Sequence, residues 1–183
     1  MKTIKLSDTV MVSDPCYTMD VWCKHKLTGV LPGEYLTTVL KSDEKSWGTR
    51  IGLLVAVHKD YTEDTLTWRT VRGADIGVDS GQCGIFSMEG YRDDSVFSEP
   101  NNFGYTCHEP GDHWYGHMCD RTLTEEQWGS YDTGVVSSSG YGDGSYRLLV
   151  AKHNGHIVGI GIDYLGYKNY AFNTAIEMAL QEM

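Results

Sequence analysis

The clearest alternation of apolar and polar positions lies between Asp132 and Leu165. Val135-Val136 runs into a Ser/Gly loop, Tyr146 to Val150 is an apolar run rich in strand formers, and Ile157 to Tyr164 is another. Between the last two stands His153-Asn154-Gly155-His156, and an Asn-Gly pair flanked by such runs favours a tight hairpin turn. The stretch therefore predicts three strands, the last two a hairpin. Earlier, Lys2 to Val12 reads as a first strand ending at Ser13-Asp14-Pro15, and Glu34 to Leu40 as another. Thr49 to His58 is apolar enough for a central strand, and Leu66 to Arg72 follows it. Ile76 to Val78 and Cys83 to Phe86 flank the turn Asp79-Ser80-Gly81-Gln82. Val21 to Thr28 is only weakly patterned. At the end, Phe172, Ala175, Ile176, Ala179, Leu180 and Met183 fall on one stripe of a helix that must pack on a sheet.

From about 88 to 121 the periodicity is lost in favour of Asp, Gly, Pro, Tyr and His, which predicts an irregular excursion from the domain. Thr122 and Glu125 have the spacing of a capping box for a short helix toward Trp128. Three short segments recur in order. Asp8 to Ser13 resembles Asp132 to Ser137, Gly33 to Val39 resembles Gly144 to Val150, and Gly48 to Leu53 loosely matches Gly155 to Ile160. Two readings compete: two related β-units, or chance recurrence of Gly-aromatic-apolar runs, which are common in β-proteins. Either way the fold class is α+β. A mostly antiparallel sheet, as a sandwich or open barrel, is closed by a C-terminal packing helix.

The length of 183 residues suits a single domain spanning 1–183. With 40% hydrophobic and 22% charged residues the chain can bury a core. Its 25 acids against 15 bases leave a net charge of −10, which repels phosphate backbones and anionic lipid. General nucleic-acid binding and membrane association are therefore not expected, although a small anionic ligand held by a few local arginines is compatible with that charge. Met1 to Val10 lacks the apolar run of a secretion signal. An odd count of five cysteines then fits reduced thiols and a cytoplasmic location.

Three groupings can carry chemistry. Asp14, Asp79 and Asp143 each follow a strand and sit beside Ser, Gly or Pro, so the turns that hold them can meet at one sheet rim. With Ser80, Gln82, Ser138 and Ser145 they would line a polar ligand site or hold a hard cation. The simpler role for such aspartates is to cap their own turns. Cys107, His113, His117 and Cys119 offer a tetrahedral zinc set, although no paired Cys-x-x-Cys accompanies them. Gly81-Gln82-Cys83-Gly84 resembles the surroundings of cysteine nucleophiles, with His153 and Asp163 as formal triad partners. Yet the residues after Cys83 read as a strand, which favours a buried structural thiol. The loop Ser137 to Gly144 contains no G-x-S-x-G elbow and no phosphate-binding motif, but its backbone N–H groups can cradle an anion, with Arg69, Arg72 and Arg147 as counter-charges.

The segments Ser13-Asp14-Pro15-Cys16-Tyr17, Val78-Asp79-Ser80-Gly81-Gln82 and Gly142-Asp143-Gly144-Ser145-Tyr146, in that order and followed by a hairpin, resemble a family of bacterial and phage proteins with no established activity. The resemblance implies a bacterial or phage origin, with the host cytoplasm as location in the second case, and transfers no catalytic residue. The expected function is a non-enzymatic binding protein, an accessory factor for a protein or small-molecule ligand. The alternative is a metal- or cysteine-dependent hydrolase. Tyr91, Tyr105, Trp114 and Tyr115 in the 88–121 segment are the expected interface anchors, for a second copy of the chain or for another protein.

Overall fold

Runs of Val, Ile, Leu and Tyr split by glycine turns favour strands that bury one or both faces, and here they build two antiparallel sheets. The computed structural model describes residues 1–104 and 109–182. Its strands are β1 (Lys2–Leu6), β2 (Thr9–Ser13), β3 (His25–Thr28), β4 (Gly33–Asp43), β5 (Thr49–His58), β6 (Trp68–Val78), β7 (Gln82–Ser87), β8 (Trp128–Tyr131), β9 (Gly134–Ser138), β10 (Gly144–His153) and β11 (His156–Asp163). Two helices accompany them, α1 (Asp112–Thr122) and α2 (Ala171–Gln181). The first sheet has the order β1-β4-β5-β11-β10-β6 and the second β3-β2-β7-β9-β8. Both sheets are open and no closed barrel forms; the two sheets face each other across a shared core, as in a sandwich.

Three hydrophobic clusters define four layers. Ile4, Val12, Ile51, Leu54, Ile76, Ile85, Val135 and Ile160 fill the space between the sheets. On the outer face of the first sheet, Leu53, Val55, Val57, Trp68 and Leu149 are covered by Phe172, Ala175 and Ile176 of α2. Phe172 stacks on Trp68 with centroids 4.9 Å apart, and a methyl group on Gly161 would meet the Phe172 ring at 2.3 Å, so glycine is required for that close approach. On the outer face of the second sheet, Met11, Phe86 and Val136 lie under Trp114 and Met118 of α1. The C-terminal helix, whose expected stripe member Met183 lies outside the described residues, and the Asn154-Gly155 hairpin form as their sequences predict. The φ angles of 48° and 85° at those two residues are those of a turn that matches strand twist.

Four expectations are corrected. Lys2 to Val12 is two strands: β1 joins the first sheet and β2 the second, with Ser7-Asp8 at the crossing. The runs at 66–72 and 76–78 are one strand, β6, continuous through Gly73 at φ 71°. The segment 88–121 is not irregular throughout, because it carries most of α1. Its buried Trp114, His117, Met118 and Thr122 have helical spacing. That signal was hidden by polar neighbours and by Gly116, both poor helix advertisements. Thr122 closes this helix and opens none, its hydroxyl donating back to the Met118 carbonyl at 3.2 Å.

The echoed segments occupy symmetric places. β4 and β10 flank the central β5–β11 pair of one sheet, and β2 and β9 flank β7 in the other. The local detail repeats as well. Gly33 and Gly144 have φ of 154° and 157°. Two residues later, the hydroxyls of Tyr35 and Tyr146 donate to the carbonyls of Leu31 and Gly142.

Candidate functional site

The three aspartate turns meet at one end of the sandwich. Asp14, fully buried, accepts from the Cys16 N–H at 2.8 Å, the Asp79 and Ser80 N–H groups at 2.8 and 2.7 Å, and the Ser80 hydroxyl at 2.6 Å. A carboxylate has about four lone-pair sites, so its capacity is filled from within the chain. The third turn is tied in where the Ser139 N–H donates to the Gly81 carbonyl at 3.0 Å, and the Tyr146 hydroxyl donates to the carbonyls of Ser139 and Gly142. Asp14 is therefore a clamp between turns. Gln82 is buried, its amide N–H facing the Cys119 sulfur at 3.4 Å. Ser138 is half-buried and its N–H donates to the Gln127 carbonyl, while Asp79, Asp143 and Ser145 are exposed.

The phenols and thiols packed here are held neutral. Burial, reinforced by the Asp14 carboxylate, pushes the Cys16 thiol far above its ordinary range. Burial together with hydrogen bonds to Cys23 and Asp79 does the same to Tyr17, and burial also raises Tyr115 and Cys119. Cys83 is wholly buried in β7 and its thiol is likewise raised by burial. His153 packs its ring on Tyr61 at 4.9 Å. Asp163 pairs with Arg147 and caps the N–H groups of Leu165, Gly166 and Tyr167. Both formal triad partners thus have structural duties away from a neutral thiol.

Of the zinc set, Cys107 lies outside the described residues, as does Tyr105. His113 and His117 stand one turn apart on α1 with ring centroids 4.8 Å apart. Their Nε2 atoms meet the carbonyls of Phe97 at 3.1 Å and Glu99 at 2.9 Å, so the imidazoles pin the 97–99 backbone onto the helix. Among the described residues no group of three or more His, Cys, Asp or Glu is placed to hold a metal ion. The expected aromatic anchors also lie elsewhere: Trp114 and Tyr91 are buried beneath α1 and Tyr115 is half-buried, whereas the exposed aromatics include Trp22, Trp47 and Tyr141.

A cleft of about 620 Å³ lies where the sandwich is open at its side, between β3 and β6. Leu27, Val150 and Ile157 supply buried apolar surface, Val71 is half-buried, and Thr28, Thr67 and Thr70 add hydroxyls. Lys26, Arg69 and Lys152, all exposed, bring positive charge, and His25 stands beside them. Burial holds the His25 imidazole below its ordinary range. The cleft is closed at one end by the Gly77 N–H donating to the Cys23 carbonyl at 2.9 Å. At the other end Val30 bridges Ile157, with the Leu31 N–H donating to the Ile157 carbonyl at 2.9 Å. Arg69 was expected as a counter-charge for the Ser137 to Gly144 loop, whereas it lines this cleft. The remaining cations come from strands far apart in sequence, and a lone surface lysine carries no signature of its neighbours.

No protein-family model, no curated protein and no solved structure matches the chain. No described helix is long and apolar enough to cross a membrane.

Proposed function

We propose that this chain is a non-enzymatic binding protein that takes a ligand with anionic groups in the cleft between β3 and β6. One observation carries the reading: a chain of net charge −10 gathers Lys26, Arg69 and Lys152 around an apolar floor. Concave sites with apolar walls and a few convergent polar groups are the usual places for small ligands, and local positive charge on an acidic molecule concentrates anions there. The three short motifs around Asp14, Asp79 and Asp143 support a role as a bacterial or phage accessory factor in the cytoplasm. The neutral, enclosed thiols weigh against a cysteine hydrolase, since the thiolate is the nucleophile.

The test uses 1-anilinonaphthalene-8-sulfonate, an apolar anion that fluoresces when shielded from water. The folded protein should bind one equivalent saturably, and Arg69→Glu and Lys152→Glu should each weaken binding about tenfold, the size of one close charge contact reversed at a partly exposed site. Absence of saturable binding, or indifference to both reversals, would refute the reading.

A further inference from the structure

Resting on that reading, we propose that the natural occupant of the cleft is an extended acidic segment of a protein partner, added as a strand along the free edge of β6. Among the described residues β6 pairs as a strand only with β10, and β3, across the cleft, only with β2. Part of the β6 edge is already taken, since the Asn169 amide donates to the Trp68 carbonyl and the Gly77 N–H to the Cys23 carbonyl, but between those two points β6 presents an open edge of the kind that accepts an added strand.

The lining has the same meaning. Successive side chains of a strand point to opposite faces, so a pocket on one face touches every second residue. Here consecutive residues border the cleft, His25 to Thr28 on β3 and Arg69 to Val71 on β6. The edges themselves form its walls. A small organic anion would satisfy Lys26, Arg69 and Lys152 but leave the open edge of β6 to water. An extended peptide meets both, its main chain pairing with β6 and its carboxylates meeting the cations on the face that Arg69 shares with Val150. A second copy of β6 is a poorer occupant, because pairing two such edges would bring Arg69 and Arg72 toward their own copies. Charged edge residues are a common guard against that association.

The probe is a fluorescein-labelled heptapeptide of alternating Glu and Val, followed by anisotropy and by displacement of 1-anilinonaphthalene-8-sulfonate. Controls replace Glu by Lys, or N-methylate one or the other alternate set of backbone nitrogens. The acidic peptide should bind and displace the dye, and the Lys version should not. One N-methylated set should lose at least tenfold in affinity while the other is tolerated, since only one set of N–H groups faces β6. Arg69→Glu and Lys152→Glu should weaken the peptide, with circular dichroism melts confirming that both variants fold. Equal tolerance of both N-methylated sets would show attraction by charge alone and overturn strand addition. Dye binding without displacement by the peptide would overturn it too, yet leave the anion cleft standing. Failure of dye and peptide alike would remove both.

Discussion

The hydroxyl and N–H of Ser80 both reach the carboxylate of Asp14, at 2.6 and 2.7 Å, across sixty-six positions of sequence. Two turns that would otherwise be loose ends of different strands are locked by that contact. Hydrogen bonds to a charged group contribute about 1.5–3 kcal/mol each, and leaving several buried donors unmade costs more than one of them. Asp14→Ala should therefore lower stability by about 3–5 kcal/mol, seen as a fall of roughly 6–20 °C in melting temperature. Asp143→Ala, at an exposed position, should stay within about 0.5 kcal/mol. Similar losses from both would mean that Asp14 is no clamp.

The contact between Phe172 and Trp68 fixes α2 on the first sheet. Phe172 is wholly buried, so Phe172→Ala should cost about 3–5 kcal/mol in chemical denaturation. Ending the chain at Asn169 removes the whole apolar stripe, and little soluble folded protein should remain. A truncated protein with an unshifted cooperative melt would refute this account of the layer.

Ligand affinity should depend on pH through His25. Burial depresses its folded pKa below the ordinary value, so the ring is neutral at pH 7 in the free protein. A bound anion favours the imidazolium, raises that pKa and takes up a proton, so binding should tighten as pH falls below about 6.5. The other charged groups on the cleft are Lys26, Arg69 and Lys152, and lysine and arginine ionise far above this window. Titrations of the acidic peptide between pH 7.5 and 5.5 should show a several-fold gain that His25→Gln abolishes. A flat profile in the parent protein would contradict it.

Thiol chemistry offers an independent check. Alkylation requires the thiolate, and burial beside Asp14 keeps Cys16 protonated. Site-resolved mass spectrometry after iodoacetamide at pH 8 should find Cys16 reacting well below the rate of free cysteine, and Cys83 unmodified while the protein is folded. Fast labelling of Cys83 would revive the nucleophile reading.

The sequence by itself determined the elements whose information is local. The β10–β11 hairpin follows from Asn154-Gly155 between apolar runs, and α2 from a stripe repeated over three turns, because turn chemistry and helical period are properties of neighbouring residues. Even the meeting of the aspartate turns was legible in outline, since each stands at a strand end. What only the tertiary structure decided is how distant strands are shared out. Alternation in Lys2 to Val12 shows which side chains are buried but not that the chain changes sheets at Ser7-Asp8. The aromatics of 88–121 look the same in sequence whether they wait for a partner or, like Trp114, fill a core under α1. The cleft is the strongest case. Lys26, Arg69 and Lys152 converge because β3 ends one sheet and β6 the other, and strand order is set by long-range packing that no local pattern of residues records.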